Sequence, residues 1–294
     1  MTAAAAELIR AVRRLRRRDL PELLQQIHDP PRALFLRGAA DPEILALPAV
    51  AIVGARACSP YGAQVARMLG RELAAAGLVV VSGLARGIDG EAHRGALEAD
   101  GLTVAVLGCG IDRDYPAVHA ELARLICQRG LVVSEYEPGV EPAPWRFPAR
   151  NRIIAGLTAV TVIVEARERS GALITADFAL EDGREVFAVP GEITGTLSTG
   201  TNRLLRQGAT PLTTADDVLE LFGLAASQRP RVPTVGPSAT AVLERLADGA
   251  ASADELARTT GLQPGPLAAA LAELELAGLA SEADGRYRAV VRPR

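Results

Sequence analysis

Five segments of this chain gather the residue types suited to holding an anion: Gly54-Ala55-Arg56, Ser82-Gly83-Leu84-Ala85-Arg86-Gly87, Gly108-Cys109-Gly110, Arg150-Asn151-Arg152 and Ser170-Gly171. Glycine admits close backbone approach and a helix start offers free N–H groups, while arginine adds a rigid fork of donors matched to phosphate or carboxylate. The densest cluster is Trp145-Arg146-Phe147-Pro148-Ala149-Arg150-Asn151-Arg152, lying between apolar segments that read as strands. Arginine is costly to desolvate unless something anionic meets it. The expected chemistry is phosphate reading, with single-stranded nucleic acid as the ligand class.

Other chemistries fit less well. Asp89 and His93 are four residues apart, an acid–imidazole spacing. No nucleophile stands beside them, and a carboxylate near a helix start serves as a cap. Gly54-Ala55-Arg56 lacks the Gly-x-Gly-x-x-Gly dinucleotide spacing, and Ser82-Gly83 stands where an acidic ribose partner would be expected. Arg56 has the alternative of pairing with a core carboxylate, and Ser170 that of simply capping a helix. All 32 basic residues are arginine, which excludes a lysine Schiff base or a P-loop lysine. His28, His93 and His119 are scattered and Cys58, Cys109 and Cys127 have no ligand spacing, so no metal and no cofactor are expected. The thiols read as buried residues of a reducing compartment. No signal-peptide or membrane-length apolar run is present, so the expected location is cytoplasmic. A net charge of −3 requires any polyanion site to be a local patch.

The elements that must position these residues alternate regularly. Apolar runs Ala49–Val53, Leu78–Val81, Thr103–Leu107, Leu131–Ser134, Ala159–Val164 and Glu185–Val189 read as strands, with a helix expected near Asn151–Gly156 among the intervening ones. Fully apolar strands joined by helices predict a doubly wound, Rossmann-like, mostly parallel α/β sheet, with ligands at the carboxyl ends of its strands. Residues 1–38 read as a short basic helix and connector, the helix over residues 2–18, with Arg13, Arg14, Arg16, Arg17 and Arg18 either a solvated helix end or a contact for nucleic acid. Residues 39–223 form the Rossmann-like domain, and 224–237 read as a linker. Residues 238–294 read as three helices and a hairpin, a winged helix. Its predicted recognition helix, Pro264–Ala277, carries Glu273 and Glu275 but no arginine, which favours protein contact or spacing over DNA reading.

These motifs, joined by Leu107–Asp112, Phe147–Leu157, Glu165-Ala166 with Ser170–Ala176, Gly183–Gly191 and Gly200–Asn202, resemble the family of DNA-processing protein A, or Smf, over roughly residues 20 to 223. The resemblance implies a single-stranded-DNA-binding, non-enzymatic factor of natural transformation and recombination. It protects incoming strands, loads the RecA recombinase onto strands coated with single-strand-binding protein, and forms a homodimer through the Rossmann-like domain. The implied strand-binding set is Gly54, Arg56, Ser82, Gly83, Arg86, Phe147, Arg150, Asn151, Arg152, Ser170, Gly171 and Thr175, with Phe147 or Trp145 available for base stacking. Ala172 and His119 depart from the serine and asparagine usual in the family, and the N-terminal helical domain that members often carry is expected to be truncated to a basic remnant. The competing enzyme class is a nucleotide-binding phosphoribohydrolase, but Pro190-Gly191-Glu192 stands where those proteins have Pro-Gly-Gly-x-Gly-Thr. A winged-helix regulator with a ligand-sensing domain is disfavoured by the acidic recognition helix.

Overall fold

The computed structural model describes residues 11–224 and 235–290. Most of the expected linker and the first residues of the expected N-terminal helix lie outside them. The chain divides into two compact units, parting between Ser227 and Gln228.

The first unit is built on a nine-stranded sheet in the order β1-β2-β6-β5-β4-β3-β7-β8-β9. Its strands are β1 (Arg13–Arg16), β2 (Ala33–Arg37), β3 (Ala49–Val53), β4 (Val79–Ser82), β5 (Thr103–Leu107), β6 (Leu131–Ser134), β7 (Val160–Ile163), β8 (Glu185–Ala188) and β9 (Thr210–Pro211). All pairings from β6 to β9 are parallel, and β2 joins β6 antiparallel. The central strands β3 to β7 are buried at every position because both faces are covered. Ala51, Val53, Val81 and Ile163 pack on one face against α5 (Arg146–Gly156) and α6 (Gly171–Glu181). Val50, Ile52, Val80 and Val162 pack on the other against α2 (Pro60–Ala75) and α3 (Ile88–Glu98). The short α1 (Glu22–Gln25), α4 (Ala120–Arg129), α7 (Thr199–Arg206) and α8 (Asp216–Leu219) complete the layers. From β3 the chain winds outward through β4, β5 and β6, then returns to place β7 on the other flank of β3. Helices therefore diverge between β3 and β7, the switch point of the fold.

Two expectations are corrected here. The helix expected over 2–18 is absent from its described part: Arg13–Arg16 is a strand paired antiparallel with β2. Arg13 and Leu15 are half-buried while Arg14 and Arg16 are exposed, a period of two that arginine's helix propensity disguises. Arg13 is tied to the carbonyls of Gly38 and Ala40, both at 2.8 Å, which fixes β1 at the edge of the main sheet beside β2. Charge along this outermost strand also guards a sheet edge against pairing with other chains. The second correction is that α5 begins at Arg146, not at Asn151, so Arg150-Asn151-Arg152 lies in its second turn.

The second unit holds α9 (Pro237–Leu246), α10 (Ala253–Thr260) and α11 (Pro264–Leu276) with a three-stranded sheet of β10 (Ala251–Ser252), β11 (Ala280–Ala283) and β12 (Arg286–Ala289). This is a winged helix. Ser252 and Glu255 form a reciprocal capping box on α10, and Gly261 ends that helix with φ +71°, as the residue order predicts. Among the described residues no helix is long and apolar enough to cross a membrane.

Candidate functional site

A cavity of about 340 Å³ opens at the carboxyl ends of β3 and β7. Its wall takes Gly54 and Arg56 from the loop after β3, Phe147 and Asn151 from α5, and Arg167, Arg169, Ser170, Gly171 and Thr175 from the loop after β7 and the start of α6. Arg56, Arg167 and Arg169 are exposed, and among the described residues no carboxylate lies within ion-pair distance of them. Arg56 therefore makes no direct ion pair with a core carboxylate, although its charge acts on the buried Asp89. The guanidinium of Arg56 instead lies 5.4 Å from the Phe147 ring centroid, and Phe147 stacks on Tyr115 at 5.3 Å. Ser170 does cap α6, accepting from the Ala172 N–H at 3.3 Å. Asn151 reaches across from α5 to donate to the Gly171 carbonyl at 3.1 Å, joining the two helix-bearing walls.

The loops are held in register by a buried carboxylate. Glu165, at the end of β7, accepts from the Ser59 N–H at 2.9 Å and the Ser59 hydroxyl at 2.5 Å. Ser59 in turn caps α2 through the Gly62 N–H. Glycine at 62 admits the carboxylate, since a Cβ there would lie 2.3 Å from Glu165 Cδ. Arg56 and the Arg167–Arg169 pair are thus carried on loops that this bond ties together.

Several expected residues are placed elsewhere. Arg150 is 4% exposed and its guanidinium points inward, donating to the carbonyls of Gly83 (2.8 Å) and Val106 and to Asn151 Oδ1 (3.2 Å). Burial lowers its pKa to about 10, so it stays charged at neutral pH. Beside it, Asp89 accepts from the Gly83 and Ala85 N–H groups at 3.1 and 3.3 Å. Burial raises the Asp89 pKa, opposed by the Arg150 charge and these two donors. Gly83 is the spacer between them: a Cβ would lie 2.5 Å from Arg150 Nη2 and 2.7 Å from Asp89 Oδ2. Ser82 is buried and donates to the Ile52 carbonyl at 2.6 Å. Ser82, Gly83 and Arg150 therefore build the floor on which the site stands and do not line it. Arg152, two residues beyond Arg150, leaves α5 on another side. It pairs with Glu135 at 2.7 Å and Asp29 at 3.1 Å beside a separate cavity of about 360 Å³. Arg86 is exposed but outside the wall. His93 is also separated from Asp89 in function: its Nδ1 is 2.7 Å from the Thr103 hydroxyl in the core, and burial lowers its pKa to about 3.

Sequence reasoning passed over Arg167 and Arg169. Their signal was available, since Glu165-Ala166-Arg167-Glu168-Arg169-Ser170 follows a strand and opens a helix as the other cationic loops do. Chemically, three unpaired guanidiniums, a helix start and an aromatic stack make a receptacle for phosphate with a planar group beside it.

The fold and this cavity define a doubly wound α/β protein with an anion-receptive crevice at its switch point, joined to a winged helix. Comparison with known proteins agrees. Residues 12–223 match the model of DNA recombination-mediator protein A, and residues 225–286 that of the DprA winged helix domain. The chain belongs to the DNA recombination-mediator protein A family. It is 45% identical over 266 residues to a putative DNA processing protein DprA of Mycobacterium tuberculosis, covering 88% of this chain and 68% of that one. Protein Smf of Escherichia coli is 41% identical over 281 residues, covering 91% and 74%. Among solved structures, DNA processing protein A from Streptococcus pneumoniae superposes with a TM-score of 0.68 at 43% identity, covering 75% of this chain and 78% of that one. DNA processing protein A from Helicobacter pylori, described for its single-stranded DNA binding mode, superposes with a TM-score of 0.65 at 33% identity, covering 72% and 95%.

Proposed function

We propose that this chain binds single-stranded DNA along the switch-point cavity and acts as a mediator of recombination and natural transformation. In this reading it protects incoming strands and loads RecA onto strands carrying single-strand-binding protein. It works as a homodimer through its Rossmann-like unit in the cytoplasm, without catalysing a reaction of its own. Family membership and the strand binding ascribed to the Helicobacter pylori relative support the reading. The observation that carries it is the trio Arg56, Arg167 and Arg169, exposed and without an ion pair among the described residues, around one cavity that Phe147 also lines. Such a groove holds the backbone by charge and tolerates any sequence through stacking.

A salt titration of oligo-dT binding tests this. The dependence of log affinity on log salt has a slope of about −0.7 for each phosphate contact on a single strand. Replacing Arg56, Arg167 and Arg169 together by alanine should flatten the slope by about 2. Over a fourfold rise in salt the parent protein should then lose roughly 18-fold more affinity than the variant. Arg258→Ala, in the winged helix, should leave the slope unchanged. An unaltered slope in the triple variant would show that the strand is held elsewhere.

A further inference from the structure

We propose that Trp145 is a second base-stacking platform for the strand held in the cavity, an inference that rests on the reading above. The first turn of α5 separates two arginine–aromatic stacks. On one side Arg56 lies 5.4 Å from the Phe147 ring, which stacks on Tyr115. On the other, Arg146 lies 5.2 Å from the Tyr136 ring and 5.9 Å from that of Trp145. Tyr115 follows β5 and Tyr136 follows β6, so the stacks stand along the same carboxyl edge of the sheet as the cavity, the second three strands from β3. The two differ in one respect: Phe147 lines the cavity, whereas Trp145 lies outside it and is 70% exposed.

An indole so exposed adds little to folding, and Trp145 joins none of the apolar clusters of the core. What it offers is a broad π-face held against a guanidinium. Trp145 and Phe147 are two residues apart at the start of α5, hence about 3 Å apart along the axis and roughly 200° apart around it. Their rings flank the helix start from opposite sides. A strand whose phosphates occupy the cavity and whose base rests at Phe147 has only to cross this turn for a neighbouring base to reach Trp145. Arg146 lies at the crossing and supplies a cation to the intervening backbone. The occupant is thus a nucleobase of the same strand, not an apolar surface of another protein.

Trp145 is the one tryptophan of the chain, so its emission reports the platform directly. Titration with oligo-dT should quench it, with a midpoint that follows the gel shift through a salt series. An oligonucleotide carrying abasic sites should bind without full quenching. Trp145→Ala should weaken binding at least roughly fivefold, the lower end for loss of one stacked base, with its unfolding transition unmoved, and Trp145→Phe should restore most of the affinity. Binding without quenching, or parental affinity in Trp145→Ala, refutes the platform and leaves the cavity reading standing. Emission that shifts on dilution of the protein alone refutes it in favour of contact with a second copy. Failure of oligo-dT to bind at all removes both readings.

Discussion

Arg150 lies among the arginines of the candidate site in sequence, yet it is built into the floor, and Arg150→Ala separates the two roles. The substitution removes the donors to the Gly83 and Val106 carbonyls and leaves Asp89, 5% exposed, without the cation that opposes its burial. Taking one partner from a buried charged arrangement costs about 3–5 kcal/mol. For a unit of this size that corresponds to a fall in Tm of roughly 6–20 °C. The sign with pH follows from Asp89. Burial already raises its folded pKa, and loss of Arg150 raises it further. A carboxyl whose folded pKa exceeds its unfolded value of about 3.9 contributes stability that is present below that value and is lost as pH climbs through the folded one. The deficit of the variant relative to the parent should therefore narrow as pH is lowered from 7 toward 5. Thermal unfolding at both pH values, beside oligo-dT binding well below the new Tm, provides the assay. Arg56→Ala is the control, expected to lose affinity with its Tm unmoved. Lost binding in Arg150→Ala with a parental Tm would refute the argument, because it would mean that the guanidinium meets the ligand itself.

Two further outcomes are expected. His93 is neutral in the fold with a pKa near 3 against 6.5 unfolded, so its contribution is full above pH 6.5 and is lost as pH falls toward 3. Stability should decline by up to about 1.4 kcal/mol per pH unit across that window, and His93→Asn should flatten the decline in urea unfolding followed against pH. Gly83→Ala forces a methyl between Arg150 and Asp89 and should cost about 1–3 kcal/mol, read from the urea midpoint, while the equivalent change at exposed Gly265, where a Cβ meets nothing within 4 Å, should cost far less.

The parallel sheet was legible because burial on both faces leaves a simple trace, five-residue apolar runs such as Ala49–Val53 ending in glycine or serine. The winged helix was legible through Ser252, Glu255 and Gly261, where helix ends impose their own residue types. The site was legible only in outline. Charge is written in the residue type, but its consumption by partners far along the chain is not. Arg150 and Arg152 look equivalent to Arg56 until their carbonyls and carboxylates are placed, some of them 44 to 123 residues away. Arg13–Arg16 failed for a different reason: four residues are too few to separate a period of two from a helix when three of them are arginine.

The bond between Glu165 and Ser59 has a consequence for how binding is timed. Two loops from opposite flanks of the switch point are locked at a fixed separation before any ligand arrives. The protein then has little to rearrange on encounter, and the entropy lost belongs almost wholly to the flexible polymer. Capture should be rapid and governed by long-range attraction, without a slow closing step. In the function proposed above, the strand settles one nucleotide at a time into a receptacle already shaped for it.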